Sequence, residues 1–223
     1  MSFHWRWDFT FDILPRLLLA TLNTLMAAGI GYAIALVLGL VLALAQRTGF
    51  RPLTLVAREF VEFIRSTPLV LQIFFIFYVG PQFGIRLSPW VSGMIAIGLH
   101  YSAYLSEVYR GGLDAVPKGQ WEACTALNMT ARQVYGRIII PQALPLSLPG
   151  MGNYLVGIFK DTPMLSVIGV AELMQTANAI GSESYRFLEP YTLVGVIFLA
   201  ISLPTAGLIR LFELWVRRKL GMR

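Results

Sequence analysis

The sequence predicts an all-α fold, a polytopic inner-membrane bundle of about five transmembrane helices joined on one side by a long polar loop. Three observations carry this expectation. The 223 residues are 56% hydrophobic and only 13% charged, with a mean hydropathy of +0.64, a balance unlike that of a soluble domain of this length. Several charge-free runs are long enough to cross a bilayer. Lysine and arginine are divided unevenly among the loops between those runs.

The spans follow in order. Leu17 to Gln46 is uncharged for 30 residues. At 1.5 Å per residue that is roughly 45 Å of helix against a hydrocarbon core of about 30 Å, so the segment must tilt or begin along the interface. Ser66 to Ile85 is the uncharged part of a second span that starts before Arg58. Leu87 to Ser106, Ile138 to Phe159 and Pro190 to Ile209 are the third, fourth and fifth. Thr162 to Ala171 is apolar but too short to cross, and reads as a re-entrant or outer-surface segment. With the N-terminus outside, the inner side holds Arg47, Arg51, Arg58, Arg110, Lys118, Arg132, Arg137, Arg210, Arg217, Arg218, Lys219 and Arg223. The outer side holds only Arg6, Arg16, Arg86 and Arg186. The asymmetry predicts N-terminus out and C-terminus in, and it makes the net charge of +6 a topological signal and not a nucleic-acid surface.

Other classes are excluded by inventory. One cysteine, Cys124, permits no intrachain disulfide and no zinc or iron–sulfur spacing, and His4 and His100 cannot supply a multi-histidine metal site. Met1 to Asp12 is aromatic and polar, and the apolar run behind it is too long for a signal peptide. No repeat, low-complexity tract or linker divides residues 1–223. No metal or cofactor is expected.

The longest polar interval, Gly119 to Pro141, lies on the inner side and reads as two short helices with a break. Gln120 to Leu127 favours helix, and Asn128 suits the left-handed residue that ends one. Thr130 and Gln133 form a capping box, with Met129 and Val134 placed as a hydrophobic staple. Pro141 marks the next boundary. Ala123 and Ala126, beside Glu122 and Trp121, leave a small-residue face on which a partner's backbone could approach closely. The loop at about 114–141 reads as a docking element.

Three polar constellations interrupt the apolar runs. In Phe63-Ile-Arg-Ser-Thr-Pro-Leu-Val-Leu-Gln, Pro68 frees a carbonyl near Ile64 that Ser66 and Thr67 can satisfy. Two readings of Arg65 are open: an ion pair with Glu62 or Glu59 at the interface, or a place on a pathway. In Leu99-His-Tyr-Ser-Ala-Tyr-Leu-Ser-Glu-Val-Tyr-Arg, Glu107 and Arg110 share one helix face, His100 reads as a satisfied buried polar residue, and Tyr101 and Tyr104 can line a pathway. Adjacent Lys160 and Asp161 are costly in a span and face a cavity or each other, unless Lys160 snorkels to the outer interface. On one helix they point about 100° apart, and one of them is expected to tie its helix to the second span near Arg65.

These motifs carry a resemblance. The loop resembles the Glu-Ala-Ala motif of ABC-importer permeases, its pattern falling on Glu122, Ala123, Cys124, Asn128, Ile138, Ile140 and Pro141, with Cys124, Asn128 and Ile140 departing from the usual alanine, glycine and leucine. The three constellations are similar to those of the polar-amino-acid branch, with Ser66 and Pro163 in place of a glycine and a serine. Finer features resemble ectoine/hydroxyectoine permease subunits: Leu99-His-Tyr, Ala126-Leu-Asn-Met-Thr, Lys160-Asp-Thr-Pro and Ile180-Gly-Ser-Glu-Ser-Tyr-Arg-Phe-Leu-Glu-Pro. The resemblance implies a permease subunit paired with a second permease subunit, homo- or heteromeric, with an ATP-binding subunit dimer and an extracytoplasmic solute-binding protein. It implies a substrate pathway through Arg65, Thr67, Tyr101, Tyr104, Glu107, Lys160 and Asp161, and ATPase coupling through Gly119, Trp121, Glu122, Ala123, Asn128 and Pro141. The chain has no phosphate-cradling Gly-x-x-x-x-Gly-Lys-Ser/Thr loop, so ATP hydrolysis belongs to a separate subunit and this chain is not expected to be an enzyme. A stand-alone channel or ion-coupled transporter, a permease for glutamine, glutamate or arginine, and a membrane-embedded enzyme are the competing readings.

Overall fold

A computed structural model describes residues 4–219. Met1, at the start of the stretch read against a signal peptide, and Arg223, counted among the basic residues expected inside, lie outside the described residues. Helices make up nearly all of the described chain, and no strand occurs among these residues.

Helix α1 runs unbroken from Trp7 to Ala45 through Pro15. Ala27, Gly31, Ala35, Gly39 and Ala43 recur every fourth residue and are all buried. That stripe lets α4 (Pro89–Asp114) lie against it backbone to backbone: a Cβ on Gly39 would stand 2.9 Å from Leu105 Cβ and 3.0 Å from the Ser102 carbonyl. Between lipid-embedded helices such close van der Waals contact, not water exclusion, supplies the attraction. Every residue of α4 from Ser92 to Tyr109 is buried or half-buried, and Ser88 caps its start by accepting from Val91 N at 3.3 Å. Leu18, Leu19, Leu22, Val37 and Val41 on α1, and Leu199, Leu203, Leu208 and Leu211 on α9 (Leu188–Lys219), are exposed, as lipid-facing side chains must be.

The second span is not one helix. α2 (Arg51–Arg65) and α3 (Leu69–Phe74) meet at an angle of 106°. Pro68, extended at φ −62° and ψ 138°, removes a backbone N–H at the junction, and α3 passes through a π-turn (Phe75–Val79) and a 3-10 turn (Gly80–Phe83). The second span expected from before Arg58 to Ile85 is thus an elbow, bent where Pro68 interrupts it. α2 packs Ala57, Val61 and Ile64 inward.

The polar loop holds α5 (Lys118–Ala126) and α6 (Ala131–Gln133), which leads through a π-turn (Val134–Ile139) into α7 (Ile140–Asp161). Pro141 therefore starts a helix instead of closing one: Ile140 keeps helical angles, and the irregular turn falls before it. α7 ends at Asp161, where Pro163 opens a 3-10 turn (Thr162–Ile168), and α8 (Leu173–Ser184) follows at a 47° bend. Leu173, Ala177 and Ile180 of α8 pack with Ile13, Leu17, Val194 and Ile197 at the other end of the bundle from the loop.

Among the described residues, two helices are long and apolar enough to cross a membrane singly, α1 and α9, with up to four spans if each bent pair counts as one. α4 is not among them, because His100, its tyrosines and its serines dilute its apolar content.

Candidate functional site

α4 and α7 enclose between them an open cavity of about 650 Å³, walled by His100, Tyr101, Tyr104, Asn153, Tyr154 and Asp161 together with Val108, Gly150 and Gly157. Helical spacing explains the α4 wall. Positions 101, 104 and 108 fall three and four apart and therefore on one face, with His100 beside them. Gly157 opens the way across α7: a Cβ there would stand 3.3 Å from the Tyr101 hydroxyl oxygen. The Tyr101 hydroxyl passes over it and donates to Asp161 Oδ2 at 2.7 Å.

The rings form one cluster. Tyr101 and Tyr104 each lie near Tyr154, at 6.0 and 5.6 Å between centroids, and His100 lies 5.4 and 5.1 Å from Tyr101 and Tyr104. The Arg65 guanidinium carbon sits 5.6 Å from the Tyr104 ring centroid at the cavity's edge, and the Tyr104 hydroxyl donates to the Arg65 carbonyl at 3.4 Å. A carboxylate and three electron-rich rings thus share one polar opening, with a cation stacked on one of those rings, an arrangement that suits a small solute bearing both charges.

The structure brings Arg65, Tyr101, Tyr104 and Asp161 together and leaves three expected residues elsewhere. Thr67 lies in the α2–α3 elbow, where its hydroxyl is within 3.1 Å of the Phe63 carbonyl. Glu107 pairs with Arg110 at 2.6 Å and lines a second cleft of about 340 Å³ with Gln46, Thr54, Arg58 and Glu62. Lys160 is exposed and does not line the cavity. The tie from Asp161 runs to Tyr101 on α4, not to Arg65, whose acidic neighbour is Glu62 at 3.5 Å. Tyr154 and Asn153 were not singled out from sequence, although two polar residues side by side in the middle of an apolar span are the signal that marks them.

In the polar loop, the predicted left-handed residue and capping box both form. Asn128 is left-handed at φ 49°. Its N–H donates to the Thr125 carbonyl at 2.9 Å and the Met129 N–H to the Cys124 carbonyl at 3.1 Å, the paired bonds that close a helix in a Schellman turn. Thr130 and Gln133 then form the capping box, the Thr130 N–H donating to Gln133 Oε1 at 2.9 Å. Gly119, Glu122, Ala123 and Ala126 are exposed along α5, Leu127 just after it, and Pro141 is exposed at the start of α7. Trp121 differs: it turns inward, its ring edge-on to Tyr135 at 5.7 Å and beneath the Arg47 guanidinium at 5.3 Å. It anchors α5 to the end of α1 and is not part of the free face. Arg47 in turn pairs with Asp114.

Comparison with known proteins gives the family. The chain is 40% identical over 220 residues to a probable amino-acid ABC transporter permease protein of Sinorhizobium fredii, covering 96% of this chain and 95% of that one. It is 33% identical over 209 residues to the glutamine transport system permease protein of Escherichia coli, covering 93% and 95%. It superposes with a TM-score of 0.88 on the crystal structure of an amino acid ABC transporter with histidines, at 33% identity, covering 95% of this chain and 99% of that one. Residues 35–218 match the family described as binding-protein-dependent transport system inner membrane component. The chain therefore belongs to that family, the membrane permeases of ABC importers.

Proposed function

We propose that this chain is the permease subunit through which a small zwitterionic polar amino acid, or a cyclic derivative of the ectoine/hydroxyectoine type, is imported at the expense of ATP hydrolysed on separate subunits. The observation that carries the reading is the cavity lined by Tyr101, Tyr104, Tyr154 and Asp161, with the Arg65 guanidinium against the Tyr104 ring. Rings and carboxylate suit a cationic end, above all a delocalised amidine, and Arg65, with Lys160 on the open side, suits a carboxylate. The route continues inward past Thr67 and Glu107. The cavity's open side takes a second permease subunit, a copy of this chain or a related one. The exposed stretch Glu122 to Leu127 takes an ATP-binding subunit, and the outer face a solute-binding protein. In this reading the chain has five spans, α1, the α2–α3 elbow, α4, α7 and α9, and the uneven division of lysine and arginine supports an N-terminus outside with the loop in the cytoplasm. An Arg132→Cys, Cys124→Ser chain labelled from outside intact cells would refute that orientation.

A second substrate reading draws support from relatives whose names specify glutamine, arginine and L-cystine. Uptake of labelled ectoine by the reconstituted complex, in competition with glutamine and arginine, separates the two. Ectoine is expected to be taken up fastest. Faster uptake of a common polar amino acid sinks the ectoine assignment and leaves the permease reading intact.

A further inference from the structure

A chain of hydrogen bonds begins at the α2–α3 elbow and ends at the cavity wall. Pro68 has no N–H to give the Ile64 carbonyl, which keeps only the longer Thr67 N–H bond at 3.4 Å, so carbonyls at the junction are open to side-chain donors. Gln72, one turn into α3, reaches back to serve them. Its Nε2 donates to the Ile64 carbonyl at 2.9 Å and to the Thr67 carbonyl at 3.2 Å, with Thr67 Oγ1 at 2.7 Å. Backbone carbonyls only accept, so they orient this amide: the NH₂ faces the elbow and Oε1 faces away from it. Oε1 lies 3.3 Å from His100 Nδ1. An amide oxygen also only accepts, so the proton of that bond sits on Nδ1. The neutral ring then carries its lone pair on Nε2, for which no described residue supplies a partner, and His100 is part of the cavity wall.

We propose that Gln72 is a positioning residue that holds His100 in its Nδ1–H tautomer, so that Nε2 offers the cavity a hydrogen-bond acceptor for an N–H-bearing cation. The proposal rests on the cavity being the transport pathway and adds a rule of selection to it. Ammonium and amidinium groups carry N–H donors and can use the acceptor. Quaternary ammonium groups carry none and leave it unpaired, a mismatch that a polar site rejects strongly.

The test uses the assembled transporter with ¹⁵N-labelled histidine. The chain has two histidines, so His4→Asn leaves the His100 ring as its only signal, observed by labelling this subunit alone. The expected spectrum shows a protonated Nδ1 and an unprotonated Nε2, and Gln72→Met abolishes that preference. A proton on Nε2 in the unmodified Gln72 protein, or the same tautomer after Gln72→Met, overturns the proposal. In uptake assays, Gln72→Met and His100→Phe are each expected to raise KM for the N–H-bearing zwitterion roughly tenfold, the scale of one hydrogen bond to a charged group, with the maximal rate nearly kept. Both variants also lose discrimination against an N-trimethylated analogue. His100→Phe leaves the elbow bonds untouched, so an unchanged KM and unchanged discrimination in that variant overturn the selection rule even if Gln72→Met misfolds. The ring spectrum does not depend on the cavity being the pathway. A wrong tautomer in a transporting complex therefore defeats this inference alone, whereas normal uptake by Asp161 variants defeats the pathway reading.

Discussion

The Tyr101 hydroxyl of α4 donates to Asp161 Oδ2 at the end of α7, at 2.7 Å, joining residues 60 positions apart in the chain. This bond ties the two walls of the cavity and aims the carboxylate. Asp161→Asn keeps an acceptor for Tyr101 and loses the charge. Tyr101→Phe keeps the charge and leaves it without its donor. Asp161→Asn is expected to lower uptake at least tenfold with little change in melting temperature. Tyr101→Phe is expected to lower both, since an unpaired charged partner costs about 1–3 kcal/mol. Uptake and thermal melting of the two purified complexes check this, and equal melting losses would contradict it.

Ala123 lies exposed on α5, outside the contacts that hold Trp121 and Cys124 inward. Ala123→Trp should therefore leave the permease folded while abolishing substrate-stimulated ATP hydrolysis. Wild-type stimulation in vesicles containing the variant complex would mean that no ATPase docks on this face.

The left-handed angle of Asn128 gives a test of how the loop is shaped. Asn128→Gly should be neutral or mildly stabilising. Asn128→Val should cost about 1–2 kcal/mol at that residue and weaken coupling, because a β-branched side chain clashes with the carbonyl in this conformation. Melting curves and ATPase stimulation of the pair measure both effects, and indifference to valine would remove Asn128 as the hinge.

Gly39 and Gly29 differ only in what stands opposite them. A Cβ on Gly39 meets Leu105 Cβ and the Ser102 carbonyl at about contact-forbidding range, whereas one on Gly29 meets nothing within 4 Å. Gly39→Val should destabilise the α1–α4 pair by about 1–3 kcal/mol and Gly29→Val should not. Thermal melting in one detergent compares them directly.

What the sequence by itself determined is what depends on near neighbours along the chain. Charge-free runs made helices, proline at 68 marked a break, and Asn128 followed by Thr130 and Gln133 wrote the turn and cap that the structure shows at those residues. Each rests on backbone bonds spanning a few residues, so local chemistry suffices. The motifs of α4 and the polar loop were legible for the same reason, and the family they resemble is the one that matches over residues 35–218. Only the tertiary structure decided the rest. A proline says that a helix is interrupted but not by how much; the bend here is 106°, with Gln72 and Thr67 bonding carbonyls at the elbow. Helical periodicity allowed Glu107 a place beside Tyr104, yet Arg110 and the cleft around it hold Glu107 apart. Trp121 turned inward because Arg47, 74 positions before it, lies over its ring. Tyr154 joined the cavity because α7 crosses α4 where Gly157 leaves room. Such pairings are set by how whole helices pack, and side chains many turns apart carry no record of that packing in their order.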